Sequence, residues 1–339
     1  MIAALKSEKR MGFEFREIDT PRMGKDEIFI KNRVVSICGT DLSIYKWNGW
    51  AAGRIRKIPL VIGHELSGEI VDIGSDVEGF DPGDNVSAET HIFCDHCPLC
   101  KNNMRHVCEN LEILGVDRDG CFCEYTSLPS KNAWKNDTHI SPDLLSIQEP
   151  LGNAVDTVLS ESVEGKKVSI FGCGPIGLMM ITVAKNCGAS EVYASDASEY
   201  RLKIAKNVGA DRTVNVLEEN EATVIKEELG GIDVACEASG NESALKNALN
   251  ALVPCGRISL LGLFPGQVSL DLTDEVIFKG IRVYGITGRR IFETWYKVSA
   301  LLPRLNLSPI ITHRLRLEEL ERGFELMLNK ECGKVIMEV

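Results

Sequence analysis

Four cysteines lie within a single stretch of fifteen residues. The first three follow one another at intervals of three, and the fourth comes eight residues later: Cys94, Cys97, Cys100 and Cys108. Four thiolates suit Zn²⁺, which they enclose in a closed tetrahedral site that leaves no position for water or substrate. The pattern therefore predicts a structural zinc lobe that crosslinks the chain.

Two other interpretations of these cysteines are open. A bacterial ferredoxin run also begins with two Cys-x-x-Cys steps, but its fourth cysteine follows after three residues and precedes proline. Here seven residues separate Cys100 from Cys108, and Glu109 follows, which disfavours an iron–sulfur cluster. Four free thiols in a loop are the other alternative, and so close a spacing is rare outside metal or disulfide frameworks.

Size and charge limit the class of protein. A chain of 339 residues exceeds one ordinary core, so two domains are expected. The net charge of -11, with no run rich in Lys or Arg, argues against nucleic-acid binding and favours a small-molecule function.

Met1 to Arg10 predicts a strand rather than a signal peptide, and no apolar run approaches the roughly 18 residues of a membrane span. Twelve cysteines, several within apolar segments, are typical of a reducing compartment. We expect a cytoplasmic protein without disulfides.

The pattern of the chain changes near residue 149. Before it, short β-rich segments such as 28–37 and 66–73 alternate with Gly, Pro and Asp turns, which predicts an antiparallel, barrel-like domain. After it, apolar strands alternate with helical stretches, which predicts a doubly wound parallel sheet with helices on both faces. The fold class is thus α/β, and the predicted domains are residues 1–148, with the zinc lobe at 91–110, then 149–288 and a return to the first domain over 289–339.

A glycine-rich turn follows the first strand of the α/β half. Gly172-Cys173-Gly174-Pro175-Ile176-Gly177 lies between a strand that ends at Phe171 and a predicted helix over 176–187. In a dinucleotide-binding turn the first glycine makes the tight bend, the second admits the pyrophosphate, and the third lets the helix pack on the sheet. The helix N-terminus then supplies the anion site.

Asp196 stands at the end of the second strand of this half, 19 residues after Gly177. A carboxylate there accepts both hydroxyls of an adenosine ribose and repels a 2′-phosphate. The alternative is an ordinary helix N-cap. Arg201 either reaches a 2′-phosphate or pairs with the Asp196 carboxylate. Because that carboxylate repels a 2′-phosphate, NAD is favoured over NADP.

A second candidate metal site is dispersed along the chain, at Cys38, His64, Glu65 and Glu149. Two of its segments, Cys38-Gly39-Thr40-Asp41 and Gly63-His64-Glu65, are turn-like and able to present side chains into a cleft. On residue type alone, a histidine such as His64 is more often a hydrogen-bonded loop residue than a zinc ligand.

Several motifs together resemble one enzyme family. Gly63-His64-Glu65-x-x-Gly68, the four-cysteine lobe and the later glycine-rich turn resemble, in that order, the zinc-containing medium-chain alcohol dehydrogenases. The resemblance spans essentially the whole chain and implies a GroES-like catalytic barrel joined to a Rossmann domain. Further stretches are similar to the enzymes of that family that oxidise L-threonine: Ile37 to Asp41, Tyr45 to Asn48, Glu89 to Ile92, Glu149 to Val155, Phe292 to Tyr296 and Ser308 to His313.

The resemblance implies a role for each of several residues. Cys38, His64 and Glu65 would hold a catalytic zinc with an open position, and Glu149 would be an exchangeable ligand or a group behind the ligands. Thr40 would bond the substrate oxygen, and the backbone around three further residues would flank the nicotinamide: Leu263, Ile286 and Thr287. Two zinc ions per chain, NAD, an amino-alcohol substrate and a homotetramer with a dimer contact near 268–272 are also implied.

The chain departs from that subgroup at two positions. Ser43 stands where a histidine that passes a proton to solvent is usual, and Gly49 stands where glutamate is common. These departures bear on the proton path and on amino-acid specificity. A polyol or 2,3-butanediol dehydrogenase is the alternative within the family. A crystallin-like protein without catalysis is the alternative outside enzymes, and the intact Cys38, His64 and Glu65 set argues against it.

The remaining histidines and aromatic residues carry weaker signals. His91 precedes the zinc lobe and is either a surface-loop histidine or a substrate-pocket residue. His96 and His106 are predicted to be spacers, because four cysteines already complete a structural zinc site. Trp295 and Tyr296 lie on a predicted helix, where aromatic residues more often serve packing.

Overall fold

The computed structural model describes residues 1–339 and divides them into two compact units. The first unit consists of Met1–Pro150 together with Ile311–Val339, and the second is Leu151–Ile310. None of the helices combines the length and the apolar character that crossing a bilayer requires.

Eighteen strands make up the sheets of the two units. In chain order they are β1 (Ile2–Lys6), β2 (Glu14–Glu17), β3 (Glu27–Ser36), β4 (Leu60–Val61), β5 (Glu65–Ile73), β6 (Asn85–Ala88), β7 (His91–Ile92), β8 (Glu112–Ile113), β9 (Tyr125–Pro129), β10 (Ala133–Lys135), β11 (Lys167–Phe171), β12 (Glu191–Asp196), β13 (Arg212–Asn215), β14 (Ile232–Glu237), β15 (Leu252–Leu260), β16 (Arg282–Gly285), β17 (Ile311–Arg316) and β18 (Lys334–Glu338).

Eleven α-helices accompany these strands. They are α1 (Gly39–Lys46), α2 (Gly49–Arg54), α3 (Pro98–Lys101), α4 (Pro142–Ser146), α5 (Gln148–Val158), α6 (Pro175–Asn186), α7 (Glu199–Asn207), α8 (Glu221–Leu229), α9 (Glu242–Ala251), α10 (Glu293–Leu301) and α11 (Leu320–Leu328).

The first unit is built on a mostly antiparallel seven-stranded sheet. Its order is β10-β6-β5-β3-β18-β17, and β9 also pairs with β3. Along β3 the side chains of Ile28, Ile30 and Val34 are buried while Lys31 and Arg33 are exposed, because successive residues of a strand face opposite sides. This alternation places one face of β3 on the apolar core of the unit.

The second unit contains a six-stranded parallel sheet. Its strand order is β13-β12-β11-β14-β15-β16, the order of a doubly wound dinucleotide-binding fold. Helix α6 is buried along most of its length, from Gly177 to Ala184, because these residues are almost all apolar. The predicted α/β class, with a separate antiparallel domain, is confirmed.

The boundary of the second unit differs from the predicted one. Helix α10 lies after residue 289, yet it belongs to the second unit, and the chain returns to the first unit at Ile311. Trp295 and Val298 of α10 are buried, and Asn306 donates to the carbonyl of Asn207 at 3.2 Å. These contacts hold the segment on the parallel-sheet unit.

Candidate functional site

The register of β3 brings three distant segments of the first unit side by side. Ser36 of β3 lies opposite Glu65 of β5 and opposite Ile336 of β18, both antiparallel. Cys38 follows the end of β3 and His64 precedes β5. Antiparallel pairing therefore places these two side chains beside Glu65.

Cys38, His64 and Glu65 form a compact set of metal-binding side chains. Their ligand atoms lie within 4.8 Å of one another, and both His64 and Glu65 are buried. One oxygen of Glu65, Oε1, has no hydrogen-bond partner although it is fully buried. Buried polar atoms rarely lack partners, and a cation among these ligands would satisfy it. A thiolate, an imidazole and a carboxylate suit Zn²⁺ with one open position.

Two features hold these ligands in place. Asp41 is buried, and its Oδ2 accepts a hydrogen bond from the Cys38 N–H at 2.9 Å while its Oδ1 lies 3.2 Å from His64 Nδ1. Such a carboxylate orients the histidine ring toward a metal. Gly63 has φ +93°, and a Cβ there would lie 2.3 Å from the Phe122 ring, so only glycine fits before His64.

Protonation of the ligands opposes metal binding at this site. Burial lowers the pKa of His64, but the negative charges of Asp41 and Cys38 outweigh it and raise that pKa well above its usual value. Burial raises the pKa of the Glu65 carboxyl, although Lys334 opposes the rise. Because metal ligands must be deprotonated, metal binding here releases protons and weakens as the pH falls.

Glu149 lies near the cluster, and neither Glu149 nor His91 is among its three ligand residues. Thr90 Oγ1 donates to Glu149 Oε1 at 3.0 Å, and the charge of Glu149 acts on the pKa of Glu65. His91 is half-buried, and its N–H donates to Glu89 Oε1 at 2.8 Å. Its Nδ1 lies 3.5 Å from the same oxygen without a hydrogen bond, so Glu89 holds the backbone of His91 and leaves its ring nitrogen unbonded.

Thr40 and Ser43 lie on α1, the helix that Cys38 precedes. Thr40 is half-buried in the first turn, next to Cys38 in sequence. Ser43 Oγ donates to the carbonyl of Gly39 at 3.2 Å, a bond back to the preceding turn of the helix. The hydroxyl hydrogen of Ser43 is therefore engaged within the helix.

The four cysteines of the predicted lobe also come together. Their sulfurs lie within 4.8 Å of one another, with 3.5 Å between those of Cys108 and Cys94 and 3.9 Å between those of Cys97 and Cys108. Four sulfurs at about 2.3 Å from one zinc ion are roughly 3.8 Å apart. The donor set and its spacing therefore fit a closed tetrahedral zinc site, while His96 is exposed.

Backbone N–H groups point at these sulfurs. Cys97 N donates to Cys94 Sγ at 3.4 Å, and Cys94 N donates to Cys108 Sγ at 3.3 Å. Burial raises the pKa of Cys94, but N–H donors led by that of His96 outweigh it and lower the pKa to about 5. Burial raises the pKa of Cys100 to about 12, so a metal must displace a proton there. All twelve cysteines are free thiols.

The glycine-rich turn has the shape of a dinucleotide site. Gly172 has φ +102°, and a Cβ at Gly177 would lie 1.9 Å from the Gly172 carbonyl oxygen. In contrast, a Cβ at Gly174 would meet nothing within 4 Å, so this backbone is open to a pyrophosphate. Gly174 caps α6 without a side chain and Pro175 and Ile176 follow, which leaves the helix N-terminus available to an anion.

The other residues predicted to bind the cofactor follow strands of the same sheet. Asp196 accepts the Cys173 N–H and the Ser198 N–H, both at 2.8 Å. Ser198, not Asp196, is the N-cap of α7. Arg201 lies in the first turn of this helix. The remaining three, Leu263, Ile286 and Thr287, come after β15 and β16, and ligands of such sheets bind at the carboxyl ends of the strands.

Two family profiles match this chain. One, described as zinc-binding dehydrogenase, matches residues 175–304, and the other, described as alcohol dehydrogenase GroES-like domain, matches residues 24–138. The chain is 50% identical to a protein of Pyrococcus furiosus named L-threonine 3-dehydrogenase, over 99% of this chain and 98% of that one. The chain belongs to the zinc-binding alcohol dehydrogenase family.

Solved structures of the family have the same fold. A zinc-binding dehydrogenase of Sinorhizobium meliloti bound to NADP is 25% identical, with a TM-score of 0.92 over 100% of this chain and 99% of that one. A 2R,3R-butanediol dehydrogenase of Bacillus subtilis is 26% identical, with a TM-score of 0.90 over the same shares of the two chains. The predicted family resemblance is confirmed.

Sequence reasoning missed the residues that support the ligands from behind. Ser36 and Lys334 both contact the Glu65 carboxylate, but neither stands near another candidate in a recognisable motif. Asp41 belongs to the Cys38-Gly39-Thr40-Asp41 segment, so its closeness to Cys38 in sequence is a signal of its supporting position. Lys334 carries no local signal, because only the strand register brings it to the site.

Because the structure contains two separate ligand sets, purified protein should carry two zinc ions per chain. A chelator should remove the ion at the open Cys38 site before the ion in the closed lobe, as metal analysis of timed samples would reveal. Cys97→Ser should lower the melting temperature by on the order of 10 °C, about 3 kcal/mol, since the lobe loses its crosslink. Cys255→Ser, at an exposed cysteine, is the control. One metal per chain, or iron with visible absorption, would contradict the assignment.

Proposed function

We propose that the protein catalyses the NAD-dependent oxidation of L-threonine to 2-amino-3-oxobutyrate. The observation that carries this proposal is the 50% identity, over nearly the full length of both chains, to an enzyme named L-threonine 3-dehydrogenase. The Cys38, His64 and Glu65 cluster and the glycine-rich turn supply the two kinds of site that such a reaction uses.

The proposed catalytic metal ligands are Cys38, His64 and Glu65, with Glu149 as an exchangeable fourth group. A Zn²⁺ ion in this site supplies Lewis acidity, which lowers the pKa of the substrate hydroxyl. Glu149 is held by Thr90 close to Glu65, which supports a position at the edge of the ligand set. His91, held by Glu89, is proposed as a substrate-pocket residue.

Thr40 is the proposed first acceptor of the substrate proton. Its position beside Cys38, at the start of α1, supports this role. Ser43 cannot act as a base near neutral pH, and it can only relay a proton through water. We propose that the proton leaves Thr40 by way of the cofactor ribose and ordered solvent near Ser43.

Asp196 is the proposed determinant of cofactor choice. Each of its oxygens accepts one backbone N–H and retains a free lone pair for a ribose hydroxyl. Its negative charge would repel the 2′-phosphate of NADP. The turn formed by Gly172, Gly174 and Gly177 would hold the pyrophosphate, and the cofactor would accept the hydride.

A second candidate function is the oxidation of 2,3-butanediol or a polyol. The likeness to the butanediol dehydrogenase of Bacillus subtilis favours it, and the same ligand types would serve. The identity to that enzyme is 26%, against 50% to the threonine enzyme of Pyrococcus furiosus, so threonine remains the main proposal.

We also propose that the chain forms a homotetramer in the cytoplasm. Exposed apolar side chains in the second unit support self-association: Leu272, Ile277, Phe278 and Val283. Val283 lies on β16, at an edge of the parallel sheet, and such apolar edges are commonly covered by another chain. Twelve free thiols suit a reducing compartment.

L-Threonine should give a higher kcat/KM than 2,3-butanediol or sorbitol. A pocket that pairs an ammonium and a carboxylate rejects 3-hydroxybutyrate, which lacks the amine, by on the order of 10⁴-fold. L-Serine lacks only a methyl group and should lose roughly 10- to 200-fold. Steady-state kinetics with the four alternatives and threonine test this. A diol that outperforms an inert threonine would establish the second candidate instead.

NAD should be preferred over NADP by on the order of 100-fold, about 3 kcal/mol. Asp196→Asn removes the charge but keeps a hydrogen-bond acceptor for the turn, so it should reduce this preference, and Asp196→Ser should do the same. Asp211→Asn is the matched control, because Asp211 also accepts a backbone N–H, from Val192 at 2.7 Å. Kinetics with both cofactors decide. Equal efficiency with NADP in the unaltered protein would assign control of the pocket to Arg201.

Thr40→Ala should lower kcat by roughly 10²- to 10⁴-fold, the usual effect of removing an acid–base group. Thr40→Ser should restore most of the rate. Ser43→Ala should change kcat only a few-fold, because the lost hydrogen bond to Gly39 lies within the helix. Ser43→His should raise the rate at acidic pH. Rate profiles against pH provide the measurement, and a loss in Ser43→Ala as large as in Thr40→Ala would show Ser43 to be an obligatory relay.

A further inference from the structure

A lysine ammonium lies fully inside the first unit, against the ligand cluster. Lys334 is 2% exposed. Its Nζ donates to the carbonyl of Ile37 at 2.8 Å and pairs with Oε2 of Glu65. Ile37 directly precedes Cys38. The lysine therefore contacts Glu65 itself and the backbone next to Cys38, two parts of the cluster that are distant in sequence.

The strand register explains how Lys334 reaches this place. Ile336 of β18 lies opposite Ser36 of β3 in an antiparallel pair, and the Ile37 N–H donates to the carbonyl of Val335 at 3.1 Å. Extending the antiparallel pairing by two residues places Lys334 opposite Cys38.

The two oxygens of Glu65 have different surroundings. Oε2 accepts hydrogen bonds from both Lys334 and the Ser36 hydroxyl, whereas Oε1 is buried and has no partner. Holding one carboxylate oxygen on two donors fixes the rotation of the group and leaves the other oxygen free for a cation bound with Cys38 and His64. Outer partners of this kind orient ligands and tune metal affinity.

The charges of the site also favour a positive side chain at this position. A thiolate at Cys38 and carboxylates at Glu65 and Glu149 carry three negative charges, and a Zn²⁺ ion offsets two of them. The ammonium of Lys334 offsets the third. Isolated buried charges are strongly unfavourable, and the buried Asp41 adds a further negative charge 3.2 Å from His64 Nδ1, so the site favours a buried positive side chain.

We propose that Lys334 is a positioning residue that prepares Glu65 for the catalytic zinc ion and balances the charge of the ligand set. The inference rests on the proposed zinc site and is independent of the identity of the substrate. The first unit also offers an internal comparison. Lys6 is equally buried, but its Nζ donates only to backbone carbonyls, those of Arg10, Gly12 and Tyr45.

The test compares Lys334→Met with Lys334→Arg and with Lys6→Met. Zinc affinity of the open site is measured by competition with a chromophoric chelator, without substrate, while the zinc of the four-cysteine lobe serves as an internal reference. Lys334→Met should weaken the open site by about 10- to 100-fold and leave the lobe unchanged. Lys334→Arg keeps the charge and should recover most of the affinity. Lys6→Met should lower the melting temperature without changing the affinity.

Two results would overturn the proposal. One is an affinity within about threefold of the unaltered protein in Lys334→Met. The other is an equal loss of affinity in Lys6→Met, which would reduce the role of Lys334 to general stability. If Lys334→Met does not fold, Ser36→Ala removes the second donor to Oε2 without exposing a buried charge. It should weaken zinc binding several-fold, and no change would reject the proposed clamp. The zinc affinities are measured without substrate. They therefore test the role of Lys334 even if the enzyme proves inactive on threonine.

Discussion

The antiparallel pairing of β3 with β5 and β18 is the constraint on which the cluster of Cys38, His64 and Glu65 depends. Ser36 is the point where the two ladders meet, opposite Glu65 on one side and Ile336 on the other. A shift of one residue in either ladder would turn every side chain of the shifted strand to the opposite face. It would move Glu65 out of the cluster or Lys334 away from it, so the ladder hydrogen bonds help to hold the site.

The two units solve different physical problems with different means. The first gathers charged and polar side chains in a buried place, where Asp41 accepts the Cys38 N–H and Lys334 pairs with Glu65. The second uses bare backbone. A close approach of Gly177 to Gly172 and open space at Gly174 leave N–H groups at the start of α6 for an anion. The site in the first unit depends on which side chains are present, whereas the turn in the second unit depends on glycines that have no side chain.

Local patterns predicted much of this architecture. The spacing of four cysteines and the strand, turn and helix around Gly172 depend on neighbours in sequence, so they could be read directly. The short strand Arg212–Asn215 has only one buried residue and the helix Glu221–Leu229 is largely polar, so neither carries a strong apolar pattern in the sequence. Helix α10 belongs to the second unit because Trp295 is buried there. This burial is a tertiary contact, which the local sequence does not reveal. Lys334 was missed for the same reason.

The contact between Lys334 and Ile37 joins residues 297 positions apart in the chain. During vectorial synthesis the ligands Cys38, His64 and Glu65 therefore leave the ribosome long before the strand that completes their surroundings. The four cysteines of the lobe need no such late segment, since their sulfurs and N–H donors come from residues 94–110. The lobe can thus acquire its metal on the growing chain, whereas the open site reaches its final form only once β18 has docked.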